Sequence, residues 1–366
     1  MKPISNNCKN SENFIRWVLL SILHTGNKSI LLFIAVLLIY PIKEGAYGST
    51  YNRLNEVPED SHYWLQGEYV GTVRNNDETW RLGAQVAAMG DNNFKLLLYK
   101  GGLPGEGGNT LSDVKQLETE LDNGRLVFMD NEHIFIVQNQ KLAVVGKRED
   151  KIITTGILDR IVRKSPTLGL KPPENAKVLF NGTDVSKWQE GAEKTEDSLL
   201  QQGATSRQEF GDKFIHLEYL LPYWPEGMTN SGVYIQRRYE VQILATYGKF
   251  PLEKHHDAAL YNERKPDVKM TLPPLQWQSF DILFRAPRFD GNGKKIENAR
   301  LTVLHNGTLV HENVELDGGT GAGGRFEEVE KAELYLQDHT GECFFRNVWI
   351  IENALDWPAV VKEAVR

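Results

Sequence analysis

From Lys177 onward, about 180 residues carry strand and turn signals with almost no helical periodicity, which restricts this stretch to stacked or closed β-sheets. Ile215, Leu217, Tyr219 and Leu221 alternate with His216, Glu218 and Leu220, the period of a half-buried strand. Asn306-Gly307 sits between two β-branched runs, 300–305 and 308–311. That dipeptide supplies the two positive φ angles of a type I′ hairpin turn. The expected fold is therefore all-β, with a C-terminal antiparallel β-sandwich.

The preceding stretch also reads as strands. Residues 67–73, 94–99 and 134–137 are short β-branched and aromatic runs between turn signals. Gly101 to Gly108 holds five glycines and a proline and reads as a loop. Asp113 to Leu121 is the one helical candidate. Lys164 to Asn175 carries three prolines and no periodicity, the composition of a semi-rigid linker. The expected layout is a leader at 1–48, a small β-rich domain at 49–163, a linker at 164–176 and the sandwich at 177–366.

Charge and cysteine usage narrow the function classes. The net charge is −7; residues 1–48 contribute +3, which leaves −10 on the remainder. An acidic body lacks the Lys/Arg footprint that phosphate-backbone binding needs, so a nucleic-acid partner is not expected. Ile30 to Tyr40 is an uncharged apolar run of 11 residues, short of the ~20 that span a bilayer. A basic segment precedes it, and Pro41 and the small-residue pattern Ala46-Tyr47-Gly48 follow it. This reads as a secretory signal peptide and predicts export to the periplasm or the extracellular space. The alternative is an uncleaved anchor, which would be the protein's one contact with a membrane. Removal of the leader takes Cys8 with it, leaving Cys343 with no partner for a disulfide or a Cys-based zinc site. Cys343 lies in a strand-like run and reads as a buried small residue.

Several motifs fail on context. Gly319-Thr320-Gly321-Ala322-Gly323-Gly324 has dinucleotide-fingerprint spacing but lies in an all-β region without the following helix. Asp290-Gly291-Asn292-Gly293 lacks the distal Glu of a calcium loop and reads as a turn. His255-His256-Asp257 has metal-ligand residue types. Neighbours on an extended chain point apart, so it reads as loop. Neither G-x-S-x-G nor H-E-x-x-H occurs.

Five segments carry a more specific pattern: Val178 to Trp188 (VLFNGTDVSKW), Asn230 to Tyr234 (NSGVY), Tyr239 to Leu244 (YEVQIL), Leu336 to His339 (LQDH) and Phe345 to Ile350 (FRNVWI). In this order, over about residues 177–352, they resemble the 3-keto-disaccharide hydrolase domain family. The resemblance implies a concanavalin A-like sandwich, a carbohydrate ligand, export from a bacterial cell and hydrolysis of glycosides oxidised to a ketone at C3. One departure is visible: members often end the third segment in Asp-Ser-Tyr, where this chain has Ala245-Thr246-Tyr247. The residues before 177 lie outside the resemblance.

The chemistry of these side chains agrees. In the third segment Glu240 and Gln242 share one strand face, while Tyr239, Val241 and Ile243 share the other. A ketone at C3 acidifies the C2 hydrogen and places the glycosidic oxygen β to the resulting enolate. A base then removes the C2 proton, the aglycone leaves and water adds. Glu240 and His339 are the expected catalytic pair, one as base and the other protonating the leaving oxygen. Gln242, Tyr234, Gln236, Asp338, Arg346 and Tyr261 are the expected substrate-binding residues, with Arg346 or a metal steadying the enolate oxygen. No cofactor is required, and a divalent metal is left open. Each residue has a plainer reading: Glu240 could pair with Arg237 or Arg238, and Arg346 with Glu342 or Glu218. Two other functions compete. One is a two-carboxylate glycosidase using Glu240 with Glu218 or Asp338. The other is a non-catalytic sugar-binding module using Trp224, Tyr234, Tyr261 and Trp277.

Overall fold

A computed structural model describes residues 50–59, 61–75, 77–108, 113–148, 151–320 and 327–366. The leader predicted at 1–48 and Gly321 to Gly324 of the glycine run lie outside the described residues. Among those residues, no helix is long and apolar enough to cross a membrane.

The N-terminal β-rich domain consists of eight antiparallel strands: β1 (Gly67–Arg74), β2 (Thr79–Ala88), β3 (Asn93–Lys100), β4 (Lys115–Glu120), β5 (Leu126–Met129), β6 (His133–Gln138), β7 (Lys141–Arg148) and β8 (Lys151–Ile161). Their order in the sheet is β4-β3-β2-β1-β8-β7-β6-β5. The sheet rolls until its two edges meet, and Thr119 Oγ1 donates to the Val127 carbonyl at 2.9 Å. Alternate side chains, among them Tyr69, Val73, Ala84, Val86, Leu96, Phe128, Val137 and Val144, fill the interior. Small barrels close in this way around a packed core. The segment from Asp113 to Leu121 is not the expected helix. Its residues 115–120 form β4, which pairs along β3 from Lys115 opposite Leu98 to Glu120 opposite Asn93, with Leu117 and Leu121 packed on the barrel core.

The linker leaves the barrel under a buried ion pair. Arg163 Nε donates to Glu68 Oε2 at 2.7 Å, and Gln85 Nε2 donates to Glu68 Oε1 at 2.9 Å. Beyond it, residues 165–170 lie on the sandwich. The Gly169 amide donates to Glu218 Oε1 at 2.6 Å, and Asn347 Nδ2 donates to the Leu170 carbonyl at 3.0 Å.

The sandwich has two main sheets. One contains β9 (Lys177–Phe180), β10 (Leu200–Gln201), β12 (Lys213–Leu220), β15 (Gln278–Arg285), β18 (Ala299–His305), β19 (Thr308–Leu316) and β21 (Phe344–Glu352). The other orders β11 (Thr205–Phe210), β20 (Ala332–Leu336), β13 (Asn230–Ile235) and β14 (Tyr239–Leu244) as β11-β20-β13-β14. A separate ribbon pairs β16 (Arg288–Phe289) with β17 (Lys295–Glu297). Leu217, Phe280, Val303 and Ile350 from the first sheet meet Val233, Val241, Ile243 and Leu334 from the second in one core. Cys343 is buried in that core. The Asn-Gly hairpin forms as expected between β18 and β19, with Asn306 at φ 50° and Gly307 at φ 75°. Every residue of β12 is buried, because the linker and a C-terminal helix (Ala359–Ala364) cover the face that the second sheet does not.

Candidate active site

The outer face of the four-stranded sheet carries the polar side chains. In the β13/β14 pair Tyr234 stands opposite Glu240, and Gly232 opposite Gln242. In the β13/β20 pair Tyr335 stands beside Tyr234. Period-two alternation sends Val233, Val241 and Leu334 into the core and leaves Tyr234, Glu240, Gln242 and Tyr335 together outside. This face is nonetheless covered. The backbone N–H of Gln242 donates to the Ala259 carbonyl at 2.9 Å, Tyr261 N to the Glu240 carbonyl at 3.2 Å and Glu240 N to Thr320 Oγ1 at 3.1 Å. Two loops thereby seal the free edge of β14, and Glu240 is left 2% exposed.

Both carboxyl oxygens of Glu240 have a fixed partner. Tyr234 donates its hydroxyl to Oε2 at 2.7 Å. With the amide oriented so that nitrogen faces acceptors, Gln242 donates to Oε1 at 2.9 Å and to the Ser231 carbonyl at 2.8 Å. Burial pushes Glu240 up to about 7, against the pull of the Tyr234 hydrogen bond. Burial, then the Glu240 carboxyl and the phenols of Tyr261 and Tyr335, push Tyr234 far above the usual tyrosine range. Tyr234 therefore stays a donor at every physiological pH, while Glu240 titrates in the range suited to a general base. The alternative of a surface pair with Arg237 or Arg238 is not what forms. Arg237 instead donates to Thr205 Oγ1 at 3.3 Å and lies over the Tyr335 ring, 4.8 Å from its centroid.

Gly232 is glycine for a steric reason. A Cβ there would meet Glu240 Oε1 at 2.3 Å, so the carboxyl lies across the space a side chain would take. Gly232→Ala is expected to keep the sheet but displace the carboxyl. Misplacing a reacting group by about 1 Å costs on the order of 10²-fold, and kcat/KM of the folded variant should fall by that amount. A variant with native circular dichroism and unchanged kcat/KM would show that this carboxyl position is irrelevant to catalysis.

The other expected residues divide. Tyr261 joins the group through its backbone bond to Glu240 and its proximity to Tyr234. His339 lies exposed on the loop after β20, its Nδ1 sharing a hydrogen bond of 2.8 Å with Thr340 Oγ1 and not with Glu240. Asp338 accepts from Gln202 Nε2 at 3.0 Å on that same loop. Gln236 is a correction. It sits in the β13–β14 turn at φ 53°, and its amide donates to the backbone carbonyls of Glu330 at 3.0 Å and Phe210 at 3.4 Å. Its side chain ties down the turn and does not join Glu240.

Arg346 is a second correction. It stands on β21 in the other sheet, donates to Glu218 Oε2 at 2.6 Å and lies 3.9 Å over the Trp277 ring. There it closes the polar network that holds the linker, together with Asn347 and His216. Glu218 is bound in that network, on the sheet that does not carry Glu240, so the Glu240–Glu218 pair of the competing glycosidase reading does not assemble. Gln337, which alternation places on the face opposite Leu336, donates its Nε2 to Tyr234 OH at 3.3 Å. The residues that sequence reasoning missed are Tyr335 and Thr320. The signal for Tyr335 was present as the alternation Leu334, Tyr335, Leu336, Gln337. Thr320 had none, because its position depends on a loop.

Among the described residues, Glu253, His255 and His256 form the group that could hold a metal ion, with ligand atoms within 4.8 Å of one another. His256, lowered to about 4 by burial and by His255, is neutral, but its Nδ1 already accepts from the Glu253 amide at 3.2 Å. The expected loop therefore carries a partial ligand set. Asp257 is not part of it, being buried against the Tyr219 hydroxyl.

A buried acid held on a sandwich face defines a candidate site for proton abstraction. Residues 175–351 match the family described as the 3-keto-alpha-glucoside-1,2-lyase-like domain. The match falls on the sandwich, over the same stretch as the five segments that carry the resemblance. Two solved structures are similar, each described as a "putative glycosyl hydrolase" from Parabacteroides distasonis. The first is 27% identical and covers 49% of this chain and 84% of that one, with a TM-score of 0.45. The second is 18% identical and covers 50% and 99%, with a TM-score of 0.39. No curated protein matches the chain.

Proposed function

We propose that the sandwich is a carbohydrate-active hydrolase that cleaves 3-keto glycosides, with Glu240 as the base that removes the C2 proton. One observation carries this reading: a buried carboxyl, raised to about 7, is fixed by Tyr234 on one oxygen and by Gln242 on the other. Such an acid is poorly suited to an ordinary two-carboxylate mechanism, which needs a second carboxyl facing it across the scissile bond. It suits a substrate whose ketone has already made a C–H bond acidic.

In this mechanism ionised Glu240 takes the C2 proton, and the electron pair moves toward the C3 ketone oxygen as an enolate. The enolate pair returns to expel the C1 oxygen, leaving a C1–C2 double bond conjugated with the ketone. Water then adds across that bond, its oxygen to C1 and a proton to C2. Tyr234 stays protonated and holds the base in place, and Gln242 fixes the second oxygen. His339, on the exposed loop that continues β20, is assigned as the proton donor to the leaving oxygen. Glu253, His255 and His256 would hold a divalent metal, which would supply Lewis-acid stabilisation of the ketone oxygen.

A single assay separates this function from its rivals. Purified protein is incubated with an aryl glucoside and with its 3-keto counterpart. Release from the keto form alone, with solvent deuterium incorporated at C2, is the expected result. Release from both would identify an ordinary glycosidase, and binding without release a lectin-like module.

A further inference from the structure

On the outward face of the four-stranded sheet, one row of side chains crosses all four strands. Thr205 on β11 stands beside Tyr335 on β20, Tyr335 beside Tyr234 on β13, and Tyr234 opposite Glu240 on β14. Neighbouring strands lie about 4.8 Å apart, which puts Tyr335 roughly 10 Å from Glu240. Glu240 and Tyr234 are buried, whereas Tyr335 is half-buried. The loops that bond to Glu240 and Gln242 seal the β14 end of the row. Its open part lies over Tyr335.

Arg237 occupies that open part. Its guanidinium carbon lies 4.8 Å from the centroid of the Tyr335 ring, and its Nη1 donates to Thr205 Oγ1 at 3.3 Å. Two neutral groups therefore hold a half-buried cation, and among the described residues no carboxylate pairs with it. Asp338, on the loop after β20, is no counter-ion, since its Oδ1 accepts from Gln202. Other half-buried arginines of this chain do face a carboxylate: Arg53 has Asp197, Arg288 has Asp212 and Arg346 has Glu218. Arg237 also sits at φ 53°, in the left-handed region that costs a residue with a Cβ and that glycine adopts freely. Such strain persists where the surroundings or a function hold the side chain in place.

We infer that Arg237 is the subsite for an anionic group on the aglycone, so that the substrates are glycosides whose leaving group carries a carboxylate. The inference rests on the reading of Glu240 as the base acting at C2. With C2 at Glu240, the sealed β14 edge turns the leaving group the other way along the row, toward Tyr335 and Arg237. A guanidinium presents a planar fork of donors that matches a carboxylate, and here that fork lacks an acidic partner from the protein. The substrate supplies the missing counter-charge.

The test compares 4-hydroxybenzoate and 4-hydroxybenzamide as aglycones, each as its glucoside and as the 3-keto form. The two differ by one charge and little in shape. In the full chain, kcat/KM for the keto carboxylate should exceed that for the keto amide by about 10–100-fold, the effect of a hydrogen-bonded charge. Arg237→Gln gives the ratio set by leaving-group ability alone, and the preference should vanish there. Arg237→Lys, a charge without the fork, should keep part of it. Should the variants misfold, the ratio in the unsubstituted protein still decides, because a charge preference at this half-buried site must shrink as salt is added. Calorimetric binding of the unoxidised pair separates this inference from the 3-keto reading. Tighter binding of the carboxylate, with neither keto compound turned over, keeps the subsite and removes that reading. Turnover with the same ratio in the parent and in Arg237→Gln, or a ratio indifferent to salt, overturns the subsite alone. Neither binding nor turnover of any of the four compounds overturns both.

Discussion

Glu240→Gln keeps the fold and lowers turnover of a 3-keto glycoside by about 10²–10⁴-fold, the contribution of a positioned general base. The substitution preserves shape, and its carbonyl still accepts from Tyr234. What it removes is the ability to take a proton. In the unsubstituted protein kcat/KM should rise with pH and level off above about 7, because burial holds the Glu240 carboxyl protonated below that value. Stability should move in the opposite sense. A carboxyl raised in the folded state keeps its proton between the usual carboxylate range and about 7, where the unfolded chain has already lost it. Folding stability therefore declines as pH rises through that window, and the Gln variant escapes the decline. Its thermal midpoint should exceed that of the parent at pH 8, with the difference shrinking toward pH 4. A variant with full turnover ends the assignment of Glu240 as base. A variant destabilised at pH 8 would show instead that the carboxylate serves a structural pairing.

The strand face bearing Glu240 and Gln242 was legible in the sequence, because a two-residue period in YEVQIL separates polar from apolar side chains whatever lies around them. The Asn306-Gly307 turn was legible for a similarly local reason. The β13–β14 turn was not. It places Gln236 and Arg237, both at φ 53°, where neither residue type advertises a positive φ. Gln236 was therefore expected on the site face, when its amide is committed to backbone carbonyls. Arg346 was misread for a different reason. Alternation assigns a side chain to one side of its own strand but cannot say to which sheet that strand belongs, and β21 pairs with β12, not with β13. In the segment Val178 to Trp188, Trp188 is fully buried and its Nε1 donates to the Leu179 carbonyl at 3.0 Å, so this tryptophan marks the core. The strand taken for a helix at Asp113 to Leu121 shows the remaining limit, since six residues hold too few repeats to separate the two periods.

Arg163→Met is expected to cost about 3–5 kcal/mol of stability, the penalty for leaving one member of a buried ion pair uncompensated. The side chains of Arg163 and Glu68 are 9% and 1% exposed, so neither can recover its partner from water. Burial alone would lower the Arg163 guanidinium, but Glu68, with a smaller contribution from Glu106, outweighs it and holds the group above its ordinary value. The same guanidinium donates to the Pro104 carbonyl at 2.7 Å, which fixes the glycine-rich loop against the linker. Gln85 and Tyr99 extend the chain into the barrel, the Tyr99 hydroxyl donating to Gln85 Oε1 at 2.9 Å. A double-mutant cycle separates the pair from its surroundings: Glu68→Gln in the Arg163→Met background should recover much of the loss, because the stranded charge is gone. Chemical denaturation of the four proteins measures it. A loss below about 1 kcal/mol would place the pair with ordinary surface ion pairs and remove it as the clasp between barrel and linker. A large loss with no recovery would locate the damage in the Pro104 loop instead of the Glu68 charge.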